Sequence, residues 1–172
     1  MATGGSDSGR AEVPGPRLRV MLVDDDSSVR LLERRLLEME GGFDICAECA
    51  DGRMAIALAE RVQPGAVILD LSMPDMTGLE ALGSLRQRLP DSLIVLCTGS
   101  TRMMNQTRVP EGADAYLEKT SKDWTTDVVS VLVDFAERTP QRWPIWERRV
   151  AEPGPDLASY EGPERRRRSR RT

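Results

Sequence analysis

The sequence predicts an α/β fold: a doubly wound parallel sheet of five strands with helices on both of its faces. Two observations support this prediction. Strand-like apolar runs alternate with helix-like patterns five times through the middle of the chain, and turn or cap residues separate the segments. Buried parallel strands read as such uninterrupted apolar runs, and right-handed crossovers join them. Because ligands of these sheets bind outside the carboxyl ends of the strands, functional residues are expected there.

The first strand is predicted at Leu18–Val23, a β-rich apolar run that leads into three aspartates. Ser27 or Ser28 is expected to cap the helix that follows, and Gly41-Gly42 is expected to stop it. Asp26 is interpreted as a helix-cap or surface acid, with a place near a metal as the alternative. The helix is expected to bury one face whose apolar residues recur at spacings of three and four, Val29, Leu32, Leu36 and Met39.

The second unit is predicted as a short strand, Phe43–Cys49, and an alanine-rich helix, Met54–Val62, with the turn Asp51-Gly52 between them. The third strand, Ala66–Asp70, is an uninterrupted apolar run that ends on a carboxylate. The segment Thr77–Glu80 then matches a capping box, with a hydroxyl at the cap and a carboxylate three residues later. The third helix is expected to bury a stripe of leucines, Leu79, Leu82, Leu85 and Leu89.

The fourth strand is predicted at Leu93–Cys97, running into Thr98, and the short fifth strand at Ala115–Leu117, followed by Lys119. A weak fourth helix is predicted between them. It is expected to end early or to be irregular, because Pro110 has no amide hydrogen to donate. A fifth helix completes the pattern, with an apolar face at helical spacing, Trp124, Val128, Val131, Leu132 and Phe135.

Composition divides the 172 residues into a disordered leader (1–16), a globular domain (17–139) and a Pro/Gly/Arg-rich tail (140–172). The domain holds 14 Lys and Arg against 21 Asp and Glu, which argues against nucleic acid binding by the domain itself. The tail holds 9 Arg against 5 acids and leaves that possibility open. With no apolar run of about 18 residues and no secretory signal, we expect no membrane span and a cytoplasmic location.

The chain has no histidine, which excludes Ser-His-Asp and Cys-His catalysis, histidine metal sites and a role as a phosphohistidine carrier. The three cysteines fit a reducing compartment better than a disulfide framework. Cys46 and Cys49 form a C-x-x-C pair, but residues three apart on a regular strand face opposite sides of the sheet. With no partner histidines or further cysteine pair, a zinc or redox site is not favoured.

Reactive side chains follow four of the five predicted strands, and the carboxyl ends of these strands meet at one edge of the sheet. Three carboxylates in one crevice need a cation, and hard oxygen ligands suit Mg²⁺. An aspartate held beside Mg²⁺ and a lysine can act as a nucleophile toward a phosphoryl donor. Mg²⁺, the lysine and a hydroxyl can each take one phosphoryl oxygen. The converging residues are Asp24, Asp25, Asp70, Thr98 and Lys119.

Four segments together resemble the receiver domain of bacterial two-component response regulators, the CheY-like superfamily. The resemblance covers about residues 17–138 and implies a (βα)5 flavodoxin-like fold with strand order 2-1-3-4-5. The motif that starts at Asp70 is similar to that of NarL/FixJ-type receivers, as is Thr120 in place of the common proline. The segments are Val23-Asp24-Asp25, Leu69 to Gly78, Leu96 to Gly99 and Gly112 to Lys119.

The resemblance implies a role for each matching residue. Asp70 would accept phosphate from a kinase phosphohistidine. Mg²⁺ would be held by Asp24, Asp25, Asp70 and the backbone carbonyl of Ser72, with Asp25 as the more direct ligand of the first two. The aspartate at position 70 would thus be both phosphoacceptor and metal ligand.

The resemblance also implies a switch. Lys119 would pair with the phosphoryl group, Thr98 would move toward it, and Tyr116 would rotate inward. This shift would remodel the face formed by the fourth helix, the fifth strand and the fifth helix. Two departures from the family pattern bear on this face and on the phosphate pocket: Pro110 puts the usual output and dimer face in doubt, and Gly99 stands where alanine is usual.

The leading hypothesis is a stand-alone response regulator, a monomer or weak dimer whose output is protein-protein contact. The residues after Thr139 are too few for the helical DNA-binding domain of NarL/FixJ proteins. The expected partners are a histidine kinase or phosphotransfer protein and an unknown downstream protein. No catalysis is expected beyond its own phosphotransfer and autodephosphorylation.

Two alternatives stay open. In the first, the receiver is a platform, and the Arg-rich end of the tail, Glu164–Thr172, binds nucleic acid or an acidic partner. In the second, the chain is a Mg²⁺-dependent phosphohydrolase of the aspartyl-phosphate type. Such enzymes need a second acid two residues after the nucleophile, and Ser72 at that position counts against it.

Overall fold

In a computed structural model, residues 17–99 and 109–139 are described, and they form a five-stranded parallel sheet in the order β2-β1-β3-β4-β5. The predicted α/β fold class and the strand order 2-1-3-4-5 are therefore confirmed. Within the described residues, no helix is long and apolar enough to cross a membrane. The elements are β1 (Leu18–Val23), α1 (Ser27–Glu40), β2 (Phe43–Cys49), α2 (Gly52–Val62), β3 (Ala66–Asp70), α3 (Gly78–Arg88), β4 (Leu93–Thr98), β5 (Ala115–Glu118) and α4 (Trp124–Arg138).

Alternate residues of the central strands supply two apolar cores, one on each face of the sheet. On one face, Met21 and Leu69 pack with residues of α2 and α3. On the other face, Leu22 and Ile68 pack with residues of α1 and α4. Every residue of β3 and β4 is buried, as expected for central strands of a doubly wound sheet. This burial holds the carboxyl ends of β3 and β4 in place.

The helix α4 corresponds to the predicted fifth helix, and its buried residues are Trp124, Val128 and Leu132. Most of the segment predicted as a fourth helix, up to Pro110, lies outside the described residues. Val109 and Pro110 are described and are not helical. The predicted leader (1–16) and tail (140–172) also lie outside the described residues.

The helix α1 differs from its prediction at its cap and on its buried face. Its N-cap is Asp26, whose carboxylate accepts a hydrogen bond from the Ser28 amide, rather than Ser27 or Ser28. The predicted apolar face is only partly right: Val29 packs on the core and Leu36 lines a cavity beside it, but the fully buried residues are Glu33 and Leu37. Of the four residues predicted to form that face, Leu32 is 46% exposed and Met39 70% exposed. The face that packs on the sheet is thus rotated and includes an acid.

The strand β2 contains an irregularity that changes where its cysteines lie. The β1–β2 pairing shifts register between Val20 and Met21, so that Cys46 is the extra residue of β2. As a result, Cys46 and Cys49 both pack with the core on the α2–α3 face, and the prediction that they face opposite sides is wrong. Burial raises the pKa of both thiols to about 12, so they stay protonated at neutral pH.

The helix α3 begins at the predicted capping box. The Glu80 amide donates to the Thr77 hydroxyl, and the Glu80 carboxylate accepts from the Thr77 amide at 2.8 Å. The capping box therefore marks the end of the loop after β3 and the start of α3. Gly78, the first residue of α3, lies so close to β3 that its amide donates to the Leu71 carbonyl at 3.1 Å.

Candidate functional site

Two buried carboxylates and one lysine meet at the carboxyl edge of the sheet. Asp24, after β1, is 3% exposed and Asp70, at the end of β3, is 5% exposed. The ammonium of Lys119, after β5, donates to Asp70 Oδ1 at 2.5 Å and also to Asp24 Oδ2. Strands that lie far apart in sequence therefore bring these three groups into direct contact, as the positions at strand ends predicted.

Backbone hydrogen bonds position the residues of the site. The Leu71 amide donates to the Cys97 carbonyl at 2.8 Å and ties the end of β3 to β4. The Lys119 amide donates to the Thr98 carbonyl at 2.7 Å and ties the lysine to the end of β4. The Asp24 amide donates to the Cys49 carbonyl at 3.1 Å. The sheet thus extends its ladder by one residue at each of these ends. Asp24 and Lys119 lie on that extension, whereas Asp70 and Thr98 are the last residues of β3 and β4.

The second oxygen of each carboxylate accepts from a nearby amide. The Ser72 amide donates to Asp70 Oδ2 at 2.7 Å, and the Asp26 amide donates to Asp24 Oδ1 at 2.8 Å. Each carboxylate is therefore oriented from two sides. Ser72 and Asp25 are exposed beside the buried pair. The structure places Ser72 in the site through its amide and leaves the Asp25 side chain on the solvent side.

The electrostatics of the site follow from burial and pairing. Burial raises the pKa of Asp24, even though Lys119 acts in the opposite direction. Burial also lowers the pKa of Lys119, but its hydrogen bonds to Asp24 and Asp70 outweigh this effect and the net pKa is raised. Lys119 is therefore held as a cation between two acids, and its positive charge can also interact with a further anion at this site.

Thr98 and Tyr116 lie on the two strands next to this cluster. Thr98, the last residue of β4, is 1% exposed and pairs with Glu118 of β5. Tyr116 is partly buried and packs on the core of the α2–α3 face. Its hydroxyl is buried, and it has no hydrogen-bond partner within the described parts of the chain. The ring of Tyr116 is thus turned toward the interior in this structure.

The donor chemistry of the site fits Mg²⁺ only in part. Carboxylate oxygens and a backbone carbonyl are ligands that Mg²⁺ accepts. Among residues 17–99 and 109–139, however, no group of three acidic, cysteine or histidine side chains is arranged to hold a metal. Lys119 bridges Asp24 and Asp70 in this structure, while Asp25 is exposed.

Sequence reasoning missed two residues near the site. Arg30 donates from Nη1 to the Asp24 carbonyl, one turn into α1. Glu33 follows one turn later, is 3% exposed, and has no hydrogen-bond partner for either carboxylate oxygen in the described part of the chain. A signal was present in the sequence, because Val29, Glu33 and Leu37 recur every four residues, the spacing of a buried helical stripe.

The buried Glu33 is expected to make stability fall with rising pH. Burial raises its pKa from 4.5 to about 8, so between these values the folded chain holds a proton that the unfolded chain has lost. The free energy of unfolding then decreases by up to about 1.4 kcal/mol per pH unit. Glu33→Gln should flatten this slope and stabilise the fold by about 3 kcal/mol at pH 8, measured by urea unfolding at several pH values.

Glu38 provides a matched control for this measurement. It lies on the same helix, and its side chain is 44% exposed and pairs with Arg34 and Arg35. Glu38→Gln should change stability by less than about 1 kcal/mol and leave the pH slope unchanged. If the free energy of unfolding depended on pH equally in the wild type and in Glu33→Gln, the interpretation of Glu33 as a buried neutral acid would be contradicted.

Comparison with known proteins identifies relatives of the whole domain. The sequence profile of the response regulator receiver domain matches residues 20–126, more than half of the chain. The chain is 38% identical over 104 residues to the nitrate/nitrite response regulator protein NarP of Escherichia coli K12, covering 60% of this chain and 48% of NarP. It is also 42% identical over 100 residues to a protein-glutamate methylesterase/protein-glutamine glutaminase of Paramagnetospirillum magneticum, covering 58% of this chain and 24% of that enzyme.

A solved structure shows the same architecture. The receiver (REC) domain of AraT, a response regulator from Geobacillus stearothermophilus, superposes with a TM-score of 0.62 at 27% identity, covering 72% of this chain and 96% of that domain. The chain therefore matches one isolated domain almost completely, whereas it spans about half the length, or less, of the two curated relatives above.

Proposed function

The chain belongs to the response regulator receiver domain family of two-component systems, and from this premise we propose that Asp70 accepts a phosphoryl group. The donor is a histidine kinase or a phosphotransfer protein. Phosphorylation changes the contacts of the domain, proposed to span residues 17–139, with a downstream protein. The observation that carries this proposal is the Lys119 ammonium held between the buried carboxylates of Asp24 and Asp70.

The position of Asp70 at the end of the middle strand, together with the family resemblance, favours it as the nucleophile over Asp24, whose oxygens are oriented in the same way. Asp70 is the last residue of β3, a central strand, and the exposed loop that begins at Ser72 follows it directly. Hydrogen bonds from Lys119 and from the Ser72 amide hold its two oxygens in fixed directions. A nucleophile that is already oriented loses little freedom in the transition state.

The proposed transfer is a direct displacement. An oxygen of Asp70 attacks the phosphorus of the donor, the bond from phosphorus to the imidazole nitrogen breaks, and the nitrogen keeps the electron pair. The product is a mixed anhydride on Asp70. Lys119 keeps its charge and pairs with a phosphoryl oxygen, and the Thr98 hydroxyl takes another. Hydrolysis of the anhydride by water returns the free carboxylate.

The metal supports this step electrostatically. When bound, Mg²⁺ supplies positive charge for the phosphoryl oxygens. The residues that would hold it are Asp24, Asp25, Asp70 and the carbonyl of Ser72. Because Lys119 contacts both Asp24 and Asp70, it would compete with a bound cation for these carboxylates. The raised pKa of Lys119 keeps it a cation, which can pair with the phosphoryl group.

The conformational output is proposed to involve β4 and β5. Thr98 and Lys119 are joined through the backbone, so a shift of the Thr98 hydroxyl toward a phosphoryl group acts on the start of the loop after β5. The inward position of Tyr116, with its buried hydroxyl, supports a role for this residue in the same shift. Since the chain spans about half of NarP, the output of the whole protein is part of this proposal.

The alternative function places the activity in the basic tail. Nine arginines in residues 140–172 favour binding of nucleic acid or an acidic partner, with or without phosphorylation. This tail lies outside the described residues. Deleting residues 163–172 would remove such binding and its salt dependence, while leaving phosphoryl uptake unchanged. The receiver function would persist in that truncated chain.

The test of the proposed function is metal-dependent phosphorylation of the full chain. On incubation with acetyl phosphate and Mg²⁺, intact-mass spectrometry should show the gain of one phosphoryl group. Chelation of the metal with EDTA should remove the gain, because the phosphoryl charge would then lack its counter-ion. A folded chain that gains no mass in Mg²⁺ would contradict the proposal.

A further inference from the structure

The buried acid Glu33 lies in the layer between the sheet, α1 and α4, outside the phosphorylation site. Glu33 lines a small cavity whose other lining residues are all apolar except Thr125. Neither oxygen has a hydrogen-bond partner within residues 17–99 and 109–139. A carboxylate without partners in such a place is strongly disfavoured as an ion. The cavity is lined by Leu36, Leu37, Ile68, Trp124, Thr125 and Val128, together with Val129.

Glu33 shares the lining of this cavity with Ile68, which lies two residues before Asp70 and on the same face of β3, so Glu33 is close to the charged groups at the carboxyl edge of the sheet. The acids Asp24 and Asp70 raise its pKa, whereas the cations Lys119 and Arg30 lower it. The charge of Glu33 also contributes to the raised pKa of the Cys97 thiol, which lies on β4. The helix α4 contributes no charge to the cavity lining, and both its N-cap residue Asp123 and its first acid Asp127 are exposed.

Burial sets the protonation state of Glu33. Its pKa is raised to about 8 by the loss of water on burial, and the strongest of the neighbouring charges, Lys119, acts in the opposite direction. At neutral pH the acid is therefore mostly protonated, and it loses its proton within one or two pH units above neutrality. Apart from Arg30, the charged groups that modulate this loss are ones proposed to take part in phosphoryl transfer or to hold the metal.

We propose that the proton on Glu33 is coupled to the phosphoryl group on Asp70, so that this receiver responds to pH as well as to its kinase. The proposal rests on the function proposed above. Phosphorylation adds negative charge at Asp70, which makes ionised Glu33 less favourable. By linkage, ionised Glu33 disfavours the phosphorylated state by the same factor. The phosphorylated fraction should therefore fall as the pH rises through about 8.

The first arm of the test measures the coupling without any phosphorylation. The side-chain carboxyl carbons of the full chain are labelled with ¹³C and titrated by NMR, with Glu33 assigned from its missing signal in Glu33→Gln. Asp70→Asn removes one negative charge and should lower the Glu33 midpoint by roughly 0.5 to 1 unit, a three- to tenfold change in proton affinity. Glu60→Gln, an exposed position on α2, should leave the midpoint in place.

The second arm measures the phosphorylated fraction between pH 6.5 and pH 9 at fixed acetyl phosphate and Mg²⁺. As the pH rises through the Glu33 midpoint, the phosphorylated fraction of the wild type should fall three- to tenfold relative to that of Glu33→Gln. Glu33→Leu, which has no titrating group and suits an apolar layer, should behave like Glu33→Gln. Either variant that folds therefore serves as the reference.

The two arms separate the possible failures. A Glu33 midpoint that does not move in Asp70→Asn overturns the coupling, even if the chain is phosphorylated normally. Equal pH profiles for the wild type and both variants overturn it as well. If the chain takes up no phosphoryl group, the proposed function fails, and the NMR arm alone then shows whether Glu33 senses the charge at Asp70.

Discussion

Asp70→Asn is expected to abolish phosphoryl uptake from acetyl phosphate. The substitution keeps the size and shape of the side chain but replaces the nucleophilic carboxylate with a neutral amide, which is a poor nucleophile. Lys119 retains its contact with Asp24, so the fold around the site should persist. Intact-mass spectrometry should therefore show a phosphorylated wild type and an unmodified variant with the same cooperative unfolding transition.

A nearby aspartate serves as the matched control. Asp75 is exposed in the loop between β3 and α3 and has a φ of 66°, a conformation that asparagine tolerates well. Asp75→Asn should be phosphorylated like the wild type. Uptake that survives Asp70→Asn would assign the acceptor to another residue, with Asp24 or Asp25 tested next.

Gly78→Ala is expected to destabilise the fold by about 3 kcal/mol and to slow phosphorylation strongly. A Cβ at this position would lie 2.3 Å from the Asp70 carbonyl oxygen and 3.0 Å from Leu71 Cα. These are backbone atoms, so the clash cannot be relieved by rotating a side chain. Either the start of α3 or the end of β3 has to move, and the second movement displaces the Asp70 carboxylate. Urea unfolding and the rate of phosphoryl uptake measure the two effects.

The same helix offers a control for the glycine substitution. Gly83 lies on the exposed side of α3, and a Cβ there would meet nothing within 4 Å. Gly83→Ala should stabilise the fold by roughly 0.5 to 1 kcal/mol, because alanine is the better helix former. If both substitutions had the same effect, the close approach of Gly78 to β3 would not be a constraint on the fold.

The strands could be predicted because each buried strand corresponds to a local run of apolar residues. The strands β1, β2 and β3 have the predicted bounds, since each is a continuous apolar or alternating run with turn residues on either side. The capping box of α3 was equally local, because both partners lie within four residues. In each case the physical cause is contained in one short segment of chain.

The helix α1 shows where local patterns fail. Leu32 and Met39 fit a helical stripe as well as Leu37 does, and only the sheet and α4 decide which stripe is buried. The buried stripe contains Glu33, and a glutamate is rarely buried so completely. The irregularity at Cys46 has the same origin, because a shift of register depends on the neighbouring strand. Packing partners far along the chain therefore overrode local preference.

The sequence by itself determined the fold class, the strand order through its family resemblance, and the placing of Asp24, Asp70, Thr98 and Lys119 at strand ends. These properties follow from periodicity and from the geometry of parallel sheets, in which all carboxyl ends share one edge. The bridge from Lys119 to two buried carboxylates and the burial of Glu33 without hydrogen-bond partners in the described residues became evident only in the folded structure. Contact and desolvation depend on which elements pack together, and that information is not contained in any single segment.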